Sequence, residues 1–484
     1  MDIKLDKNIN TPLYIQIYTQ IKNLIENNHL KEGEKLPSIR SLAKKLKVNN
    51  ITIVNAYKIL EEEDLVYSKE GSGTYVSTKS IPLNLPYIEN ESIDLMTSGI
   101  LTLSKNSINF ASVSPIPELF PIEEFKQVLI EVLDRDKGKA FVYPEINGYT
   151  PLRESISIFL KKNYTTDVDK NQIQIISGGQ QGIDIVAKTL IQPGDYVFLE
   201  DPTYSGAVAA FKSRGANIIG IPILENGIDL NTLEKYINKY HPKFLYIMPN
   251  YQSPTTYSYS EEKKEKLLNI AYKNNLYIIE DDFLSDLNYT DHEKLPLKAM
   301  DRQDQVIYIK SFSKIFMPGI RIGFLTVPCI LLKDITKAKH LTDISSSGFI
   351  QRAFDLYLRR DLWKSHIEHI ISVYNKKYNL IVNEAKKLQK HNVTFSEPKG
   401  GLSLWLKLPK DINTFELYEE CTKNNVIIVP GEIFYIDNNN KNKNYIRISF
   451  GTVNEEQIVD GFRVINNCIG RNGINGNAKF IPFI

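Results

Sequence analysis

Residues 311–324 read SFSKIFMPGIRIGF and follow the apolar run VIYI at residues 306–309, which predicts a buried β-strand. Lys314 would then emerge at the carboxyl edge of a sheet, where ligands of parallel sheets bind. A lysine in a serine-rich loop is usually only solvated. Here Ser311 lies three residues before it and Arg321 seven residues after it, and both side chains can bind phosphate oxygens. The segment therefore predicts a site for a phosphorylated ligand.

Short apolar strands alternate with amphipathic helices along most of the chain. Besides residues 306–309, strands are predicted at residues 174–176, 196–199, 244–247 and 276–279. This alternation is typical of an α/β fold with a mainly parallel sheet covered by helices. The loops at the carboxyl ends of such strands meet at one edge of the sheet. Polar residues that follow the strands are therefore the candidates for a functional site.

Two of these loops carry groups suited to a planar, phosphorylated ligand. Gly178, Gly179 and Gln180 follow the strand at residues 174–176 and open a helix, where free backbone amides and the helix dipole bind anions. A glycine pair at a helix start is weak support by itself. Tyr204, in EDPTYSG, ends another strand and can lie flat on a ring, although an aromatic residue in such a place is ordinarily part of the core.

The loop after residues 276–279 adds an acid. Asp281 can pair with a pyridine nitrogen and keep it protonated, and its neighbour Asp282 is the alternative partner. Pyridoxal 5′-phosphate needs an imine-forming lysine, an anion site, such an acid and an aromatic face. All of these have candidates here, so pyridoxal phosphate is the predicted cofactor.

The order of the motifs, Gly-Gly-Gln, Asp-Pro-x-Tyr, Asp-Asp and Ser-x-Ser-Lys with Arg, resembles that of the fold-type I aminotransferases over residues 108–465. The resemblance implies that Lys314 is the catalytic lysine, which forms the internal aldimine. It makes Asp281 the pyridine partner and Tyr204 the residue stacked on the ring. It also implies that the phosphate is bound by Gly178, Gly179, Gln180, Ser311 and Arg321.

Two further motifs extend this resemblance. Tyr143, in YPEINGYTPLR, matches the family tyrosine that reaches the phosphate of a neighbouring subunit, which implies a homodimer. Arg447, in NYIRISFG, matches the arginine that binds the carboxylate of the amino acid in a bidentate fork. The alternative for Arg447 is a surface arginine on an edge strand.

Two positions depart from the aminotransferase pattern. Phe283 stands where a tyrosine commonly donates its hydroxyl to the phenolic oxygen of the cofactor, and Ser253 stands where an asparagine usually precedes Pro-Thr-Gly. A phenyl ring cannot donate a hydrogen bond. Both losses affect the same oxygen, so we expect weaker control of imine protonation, with cofactor binding preserved better than fast turnover.

The first part of the chain has a different pattern. Apolar residues recur at helical spacing over residues 13–27, Ser38 is suited to cap a second helix, and a third helix begins near Asn49. Two short strands flank a turn at Gly71. Residues 11–76 are therefore predicted to form a compact unit of three helices and a hairpin.

The basic residues of this unit are clustered. Residues 31–58 hold seven basic and two acidic residues, an excess of five, which concentrates attraction for DNA phosphates. Any three-helix unit has a solvated basic face, but LPSIRSLAKKLKVNNITIVNAYKILEEEDLVYSKEGSGTYV closely resembles the winged helix-turn-helix of GntR-family regulators. Asparagines at positions 49 and 50 replace the usual Ser and Arg, so one cationic contact is lost. The resemblance implies binding to a double-stranded DNA operator through Arg40, Asn50, Thr52 and Gly71.

Composition limits the class of protein. The chain has 484 residues, too many for one hydrophobic core, and its 59 basic and 57 acidic residues give a net charge of +2. Nucleic-acid binding must therefore come from local clustering of charge. The three cysteines form neither a disulfide framework nor a metal site. Because no apolar run approaches the ~18 residues of a membrane span, we expect a cytoplasmic protein without membrane contact.

These observations predict four segments in the chain. They are a winged helix-turn-helix domain at residues 1–77, a linker at 78–105, an aminotransferase-like domain at 106–470 and a tail at 471–484. The arrangement resembles the MocR/GabR subfamily of GntR regulators. The resemblance implies a transcription regulator in which pyridoxal phosphate, or its external aldimine with a small amino compound, modulates operator binding.

Two other interpretations are compatible with the sequence. One is an active aminotransferase that converts an amino acid to a 2-oxo acid and carries an accessory DNA-binding domain. The other is a scaffold that lacks the cofactor. Steady turnover of an amino acid with 2-oxoglutarate would favour the aminotransferase, and an absence of imine absorbance would favour the scaffold.

Overall fold

Two units, Met1–Tyr87 and Ile88–Ile484, make up the chain in a computed structural model. The predicted linker at residues 78–105 lies outside the residues that the structure describes, as do Gly71 and the predicted tail beyond residue 472. The described residues are Ile3, Leu5, 12–26, 29–31, 33–62, 65–69, 72–77, 107–290, 295–436 and 444–472.

The first unit contains three helices and a hairpin, as the sequence pattern predicted. The helices are α1 (Leu13–Glu26), α2 (Ile39–Leu46) and α3 (Asn50–Glu62). Strands β1 (Val66–Lys69) and β2 (Gly73–Val76) pair antiparallel. The apolar stripes of the three helices meet in a common core that includes Ile17, Ile21, Leu42, Ile53, Ala56 and Leu60.

Side-chain caps set where the second and third helices begin. Ser38 Oγ accepts a hydrogen bond from the backbone N of Ser41 at 3.2 Å, as the predicted cap of α2 should. Asn49 Oδ1 accepts from the backbone N of Ile51 at 3.1 Å, so Asn49 caps α3. The hydroxyl of Tyr57 in α3 donates to the carbonyl of Pro37 at 2.8 Å and so ties α3 to the start of α2.

The second unit is built on an eight-stranded sheet. Its strands are β4 (Ile173–Ile176), β5 (Tyr196–Asp201), β6 (Asn217–Leu224), β7 (Gly227–Ile228), β8 (Phe244–Ile247), β9 (Tyr277–Asp282), β10 (Val306–Ser311) and β11 (Gly323–Thr326), in the order β4-β11-β10-β9-β8-β5-β6-β7. Neighbouring strands from β10 to β6 are parallel, whereas β11 is antiparallel to both of its neighbours and β7 to β6. The prediction of a mainly parallel sheet is confirmed.

Helices alternate with these strands and continue beyond them. They are α4 (Ile122–Asp136), α5 (Thr150–Tyr164), α6 (Gly179–Leu190), α7 (Ser205–Lys212), α8 (Leu230–Tyr240), α9 (Glu261–Lys273), α10 (Leu332–Asp343), α11 (Gly348–Arg359), α12 (Leu362–Lys386), α13 (Thr414–Lys423) and α14 (Glu455–Asn472). Within the described part of the chain, none of the helices combines the length and the apolar character needed to cross a lipid bilayer.

Two smaller sheets complete the second unit. Strands β12 (Ser403–Lys407), β15 (Tyr445–Ser449) and β14 (Val429–Pro430) form an antiparallel sheet with β15 in the middle. Strand β3 (Ile108–Asn109) pairs parallel with β13 (Val426–Ile427). The next residue, Phe110, is fully buried and packs edge-to-face on Phe462 of α14, with 5.8 Å between ring centroids. Residues 108–110 thus lie beside β13 and α14, which come near the end of the described chain.

Candidate functional site

A cavity of about 450 Å³ lies at the carboxyl edge of the large sheet. Residues that follow β5, β9 and β10 line it, together with the start of α6 and parts of the smaller sheets. Strands β9 and β10 extend further than the sequence predicted, so that Asp281 and Ser311 belong to the strands themselves. The cavity brings together most of the predicted site residues: Gly179, Gln180, Tyr204, Asp281, Ser311, Lys314, Arg321 and Arg447.

Lys314 follows the end of β10 and is half-buried in this cavity. Burial lowers the pKa of its amine, and the positive charges of Arg447 and Arg321 lower it further. Both causes disfavour the protonated form of Lys314. A neutral amine is the nucleophilic form, so the surroundings prepare Lys314 for attack on a carbonyl group.

Asp281 lies in β9 and is buried. The hydroxyl of Tyr246 donates a hydrogen bond to its Oδ2 at 2.5 Å. Burial raises the pKa of Asp281 to about 7, against the opposing effect of the Tyr246 hydrogen bond. Such a carboxyl group is ready to become a carboxylate when a cationic group is placed beside it, because an opposite charge favours ionisation.

Asp282 occupies a different environment from its neighbour. Its Oδ2 accepts hydrogen bonds from the hydroxyl of Tyr308 at 2.5 Å and from Ser285 Oγ at 2.6 Å, and it forms an ion pair with Lys310 at 3.1 Å. Successive side chains of a strand point to opposite faces. Asp281, and not Asp282, therefore lines the cavity, which distinguishes the two carboxylates that the sequence left as alternatives.

The start of α6 and Arg321 form one end of the cavity, where an anion can bind. Gly178 precedes α6 with φ +100°, and a Cβ there would overlap with the guanidinium of Arg321. Arg321 donates from Nη2 to the carbonyl of Ser177 and from Nη1 to Ser313 Oγ at 3.2 Å. Ser311 lies next to Gly179. Backbone amides, hydroxyls and a guanidinium thus converge, a donor set that suits a phosphate group.

Tyr204 precedes α7 and lines the same cavity. Its hydroxyl donates to Gln180 Oε1 at 3.0 Å, while Gln180 Nε2 donates to the carbonyl of Gly206 at 3.1 Å. Gly206 lies directly against the tyrosine ring, where a Cβ would overlap with it. The ring is therefore fixed in place at the cavity wall, and it also packs against an apolar cluster of the core.

Arg447 lies in the middle strand β15 and is buried, so it is not a surface arginine. Its Nη2 donates to the carbonyl of Ala111 at 2.7 Å, and its Cζ lies 4.9 Å from the centre of the Phe434 ring. Its Nε has no hydrogen-bond partner among the described residues. Burial lowers the pKa of the guanidinium to about 10. A buried cation with an unpaired donor is a place where an anion from outside gains the most.

Of three other positions that the sequence singled out, one lies outside the cavity and two line it. Tyr143 is 79% exposed and is not among the residues that line the cavity. The two departures, Phe283 and Ser253, do line it. A phenyl ring therefore stands in the cavity where the family commonly has a phenolic hydroxyl.

Two contributors to the site were not assigned from the sequence. Tyr246, which holds Asp281, lies in the strand FLYI, where its hydroxyl gave no sign of a polar partner. Ser313, which holds Arg321, stands directly before Lys314 in the Ser-x-Ser-Lys motif. The position of Ser313 in that motif was the signal available for it.

The predicted DNA-contact residues lie at the second and third helices. Arg40 in the first turn of α2 and Asn50 at the start of α3 are exposed, and Thr52 is half-buried. Gly71 lies outside the described residues. Ile51 of α3 is also 64% exposed. In a helix-turn-helix the first turn of the recognition helix contacts base edges in the major groove, and the exposed first turn of α3 is accessible for such contacts.

Comparisons with known proteins agree with both units. The family described as Aminotransferase class I and II matches residues 100–465. The chain belongs to this family. The family described as Bacterial regulatory proteins, gntR family, matches residues 13–76. This combination in one aminotransferase-family chain confirms the predicted winged helix-turn-helix and the resemblance to the MocR/GabR subfamily.

Relatives of this aminotransferase-family chain are of two kinds. Aromatic-amino-acid aminotransferase 1 of Thermococcus litoralis is 30% identical over 78% of this chain and 92% of the relative. The uncharacterized HTH-type transcriptional regulator YdfD of Bacillus subtilis is 28% identical over 93% of this chain and 95% of the relative. Matches thus exist both to aminotransferases without the first unit and to regulators of nearly the full length.

A solved structure supports the cofactor. It is LysN, an alpha-aminoadipate aminotransferase of Thermus thermophilus, in complex with N-(5′-phosphopyridoxyl)-L-leucine. It has a TM-score of 0.72 and 29% identity, and the match covers 79% of this chain and 97% of that one. Together with the family match, this confirms the prediction of pyridoxal phosphate as the cofactor.

Replacing Arg447 by Gln should change the pH dependence with which the cofactor aldehyde reacts at Lys314. The substitution removes a positive charge that lowers the pKa of Lys314, so the pKa should rise and less neutral amine should be present at a given pH. We expect the rate of cofactor capture, followed by absorbance against pH, to shift to higher pH. Arg463→Gln, at an exposed arginine paired with Asp460, is the control. An unchanged profile in Arg447→Gln would contradict the electrostatic argument.

Proposed function

We propose that this chain is a transcription regulator in which pyridoxal phosphate, alone or joined to a small amino compound, changes binding to an operator in double-stranded DNA. The observation that carries the proposal is the arrangement of Lys314, Asp281 and two guanidinium groups around one cavity. The same chain carries a gntR-family DNA-binding unit at residues 13–76. Regulators such as YdfD match over nearly the full length, which supports a regulatory role.

The residues of the cavity have separable tasks in this proposal. The start of α6, with Gly178, Gly179 and Gln180, holds the cofactor phosphate together with Ser311 and Arg321. Asp281 holds the proton on the ring nitrogen, and Tyr204 limits the ring on one side. When bound, the cofactor supplies an aldehyde that condenses with amines and a ring that withdraws electrons. Lys314 is the amine of the protein that reacts with it.

Arg447 is the residue that selects the amino compound. A guanidinium binds a carboxylate through two parallel hydrogen bonds. Its Nε is unpaired among the described residues, while Nη2 still has a second hydrogen besides the one donated to Ala111. The Arg447 guanidinium lines the cavity, where a carboxylate can accept hydrogen bonds from it. The amino compound is accordingly an amino acid.

An active aminotransferase is the competing function. It is supported by relatives such as the Thermococcus litoralis enzyme, which match the second unit alone. Phe283 argues against fast turnover, because a phenyl ring cannot donate the hydrogen bond that the family tyrosine commonly gives there. At Ser253 a short hydroxyl replaces the usual asparagine amide. We therefore infer that binding and reaction of the amino compound act mainly as a signal.

A signal requires different affinities in two states. An amino compound that bound equally to the DNA-binding and non-binding arrangements would shift neither population. The proposal therefore demands that DNA affinity or DNA geometry change when the ligand is added. This demand separates the regulator from an aminotransferase with an independent DNA-binding unit.

A homodimer is part of the proposal. Tyr143 is exposed in the single chain, as a residue that reaches a neighbouring subunit must be. Large exposed apolar side chains are concentrated between residues 122 and 146, and such patches mark interaction sites. They are Ile122, Ile130, Leu133, Phe141, Val142, Tyr143 and Ile146.

The test of the proposed function begins with Lys314. Borohydride reduction of the protein loaded with pyridoxal phosphate should label the peptide that contains Lys314, and Lys314→Ala should remove the label and the ligand effect on DNA binding. Lys310→Ala is unsuitable as a control because Lys310 is buried in an ion pair, so Lys337→Ala, at an exposed lysine, serves instead. A label elsewhere, or steady release of 2-oxo acid with no change in DNA affinity, would favour the competing function.

Replacing Tyr143 by Phe should weaken cofactor binding without dissociating the dimer. A hydrogen bond to a charged group contributes about 1.5–3 kcal/mol, so its loss should lower the affinity by about tenfold or more. Absorbance titration with pyridoxal phosphate measures the affinity, and sedimentation measures the dimer. Tyr67→Phe, at an exposed tyrosine of the first unit, is the control. Equal affinities of the two variants would remove the proposed role of Tyr143.

Replacing Arg40 by Ala should weaken DNA binding on specific and non-specific sequences alike. A phosphate contact releases counterions, so its loss should reduce the slope of log affinity against log salt by about one unit. Fluorescence anisotropy at several salt concentrations measures this slope. Lys333→Ala, at an exposed lysine of the second unit, should leave the slope unchanged. A loss of affinity at an unaltered slope would mean that Arg40 acts other than through phosphate.

A further inference from the structure

The charges around the cavity limit which amino acid it accepts. Of the described residues that line it, four have ionisable charged side chains: Asp281, Lys314, Arg321 and Arg447. Under the proposed function, on which this inference depends, Asp281 meets the ring nitrogen, Arg321 the phosphate and Lys314 the aldehyde. Arg447 remains for a single carboxylate. No charged group among these residues is left for an ionised side chain of the ligand.

The charges that surround Lys314 and Arg447 agree with this assignment. The charges that act on the pKa of Lys314 are those of Arg447 and Arg321. The pKa of Arg447 is lowered by burial, and the group that opposes this is the Tyr204 hydroxyl. Among the described residues that line the cavity, the one acid is Asp281 and the second cation that interacts with Arg447 is Lys314. Under the proposed function the cofactor already engages both, so neither is left to pair with a charged side chain of the ligand.

The wall beside Arg447 carries several apolar side chains and no other charged one, while the uncharged polar residues Asn109, Ser112 and Ser114 also line the cavity. Val429 lies directly opposite Arg447 in the β14–β15 pair, and Ile427 lies two residues before it. Val113 lies two residues after Ala111, whose carbonyl accepts the hydrogen bond from Arg447. All three apolar side chains line the cavity, as do Phe283, Tyr418 and Ile433. Contact with such a wall favours apolar groups, because their removal from water is favourable, and penalises charged groups, which would be buried unpaired.

We propose that the amino compound is an α-amino acid with one carboxylate and an uncharged, apolar side chain. Its carboxylate binds Arg447, and its side chain contacts the wall formed by Val113, Ile427 and Val429. Dicarboxylic and dibasic amino acids are excluded by the same wall. Amines without a carboxylate are excluded because they leave the Arg447 guanidinium unpaired.

The experiment is a titration of the full chain, loaded with pyridoxal phosphate, with L-leucine, L-phenylalanine, L-glutamate and L-lysine. Apparent dissociation constants are taken from the visible absorbance of the bound cofactor. We expect leucine or phenylalanine to bind at least about tenfold more tightly than glutamate and lysine. Glutamate or lysine binding as tightly as the apolar amino acids would overturn the inference while leaving the proposed regulator intact.

A designed change of the wall makes the test sharper. Val429→Lys places a cation beside Arg447 and should move the preference towards glutamate. Ile433→Lys, at a half-buried position of the same wall, makes the same test if Val429→Lys does not fold. Ile330→Lys, at a residue that is 78% exposed and does not line the cavity, should keep the preference of the original chain. If the wall variants keep that preference too, the side chain does not contact this wall and the inference fails.

A different result would remove the proposed function itself. If borohydride labels Lys314 but none of the four amino acids changes either the absorbance or the affinity for DNA, the amino acid is not the signal. That outcome overturns this inference together with the amino-acid part of the proposed function. Preference for a charged amino acid overturns the inference alone, so the two failures are distinguishable.

Discussion

Lys314 and two guanidinium groups share one cavity in this protein, and the site depends on the burial and the mutual repulsion of their positive charges. Lys314 lies with Arg321 and Arg447 around a space whose acidic residue, Asp281, has a pKa raised to about 7 by burial. Together with burial, which lowers the pKa of the Lys314 amine most, the repulsion from Arg447 and Arg321 favours the neutral amine. It also favours binding of a ligand that brings anionic groups to both guanidinium side chains. Burial and repulsion of positive charge thus prepare the lysine for reaction and suit the cavity to a phosphate and a carboxylate.

This arrangement requires that negative charge be kept on the other side of the strands. Asp282 and Asp286 are paired with the buried Lys310, and Tyr308 donates to Asp282 at 2.5 Å. Because side chains alternate across a strand, the ion pairs of Asp282 do not neutralise the cations of the cavity. They also tie the end of β9 to β10, which carries Lys310 and is followed by Lys314. At the ends of β9 and β10, one face of the sheet therefore holds paired charges, and the other face lines the cavity.

The two units place different demands on the chain. The first unit has its own apolar core and exposes the first turn of α3, since a residue that reads DNA must remain accessible. The second unit buries its cations and keeps an apolar wall beside Arg447. A ligand in that cavity acts on DNA binding only through a difference in affinity between two states of the whole chain. The absence of a phenolic hydroxyl at Phe283 is consistent with a cavity suited to binding more than to rapid turnover.

The sequence by itself determined the winged helix-turn-helix, the mainly parallel sheet and the positions of Lys314 and Arg321. The helices, the hairpin and the sheet follow from local periodicity and caps, in which the relevant residues are neighbours along the chain. The winged helix-turn-helix and the two site residues follow from short motifs that resemble those of known families. Only the tertiary structure decided that Asp281 rather than Asp282 lines the cavity, and that Arg447 is buried with an unpaired Nε. It alone placed residues 113, 283 and 429 on one wall. The physical reason is that burial and pairing depend on segments that lie from tens of residues apart, as for Tyr246 and Asp281, to hundreds, as for Arg447 and Ala111, and no local pattern encodes their contacts.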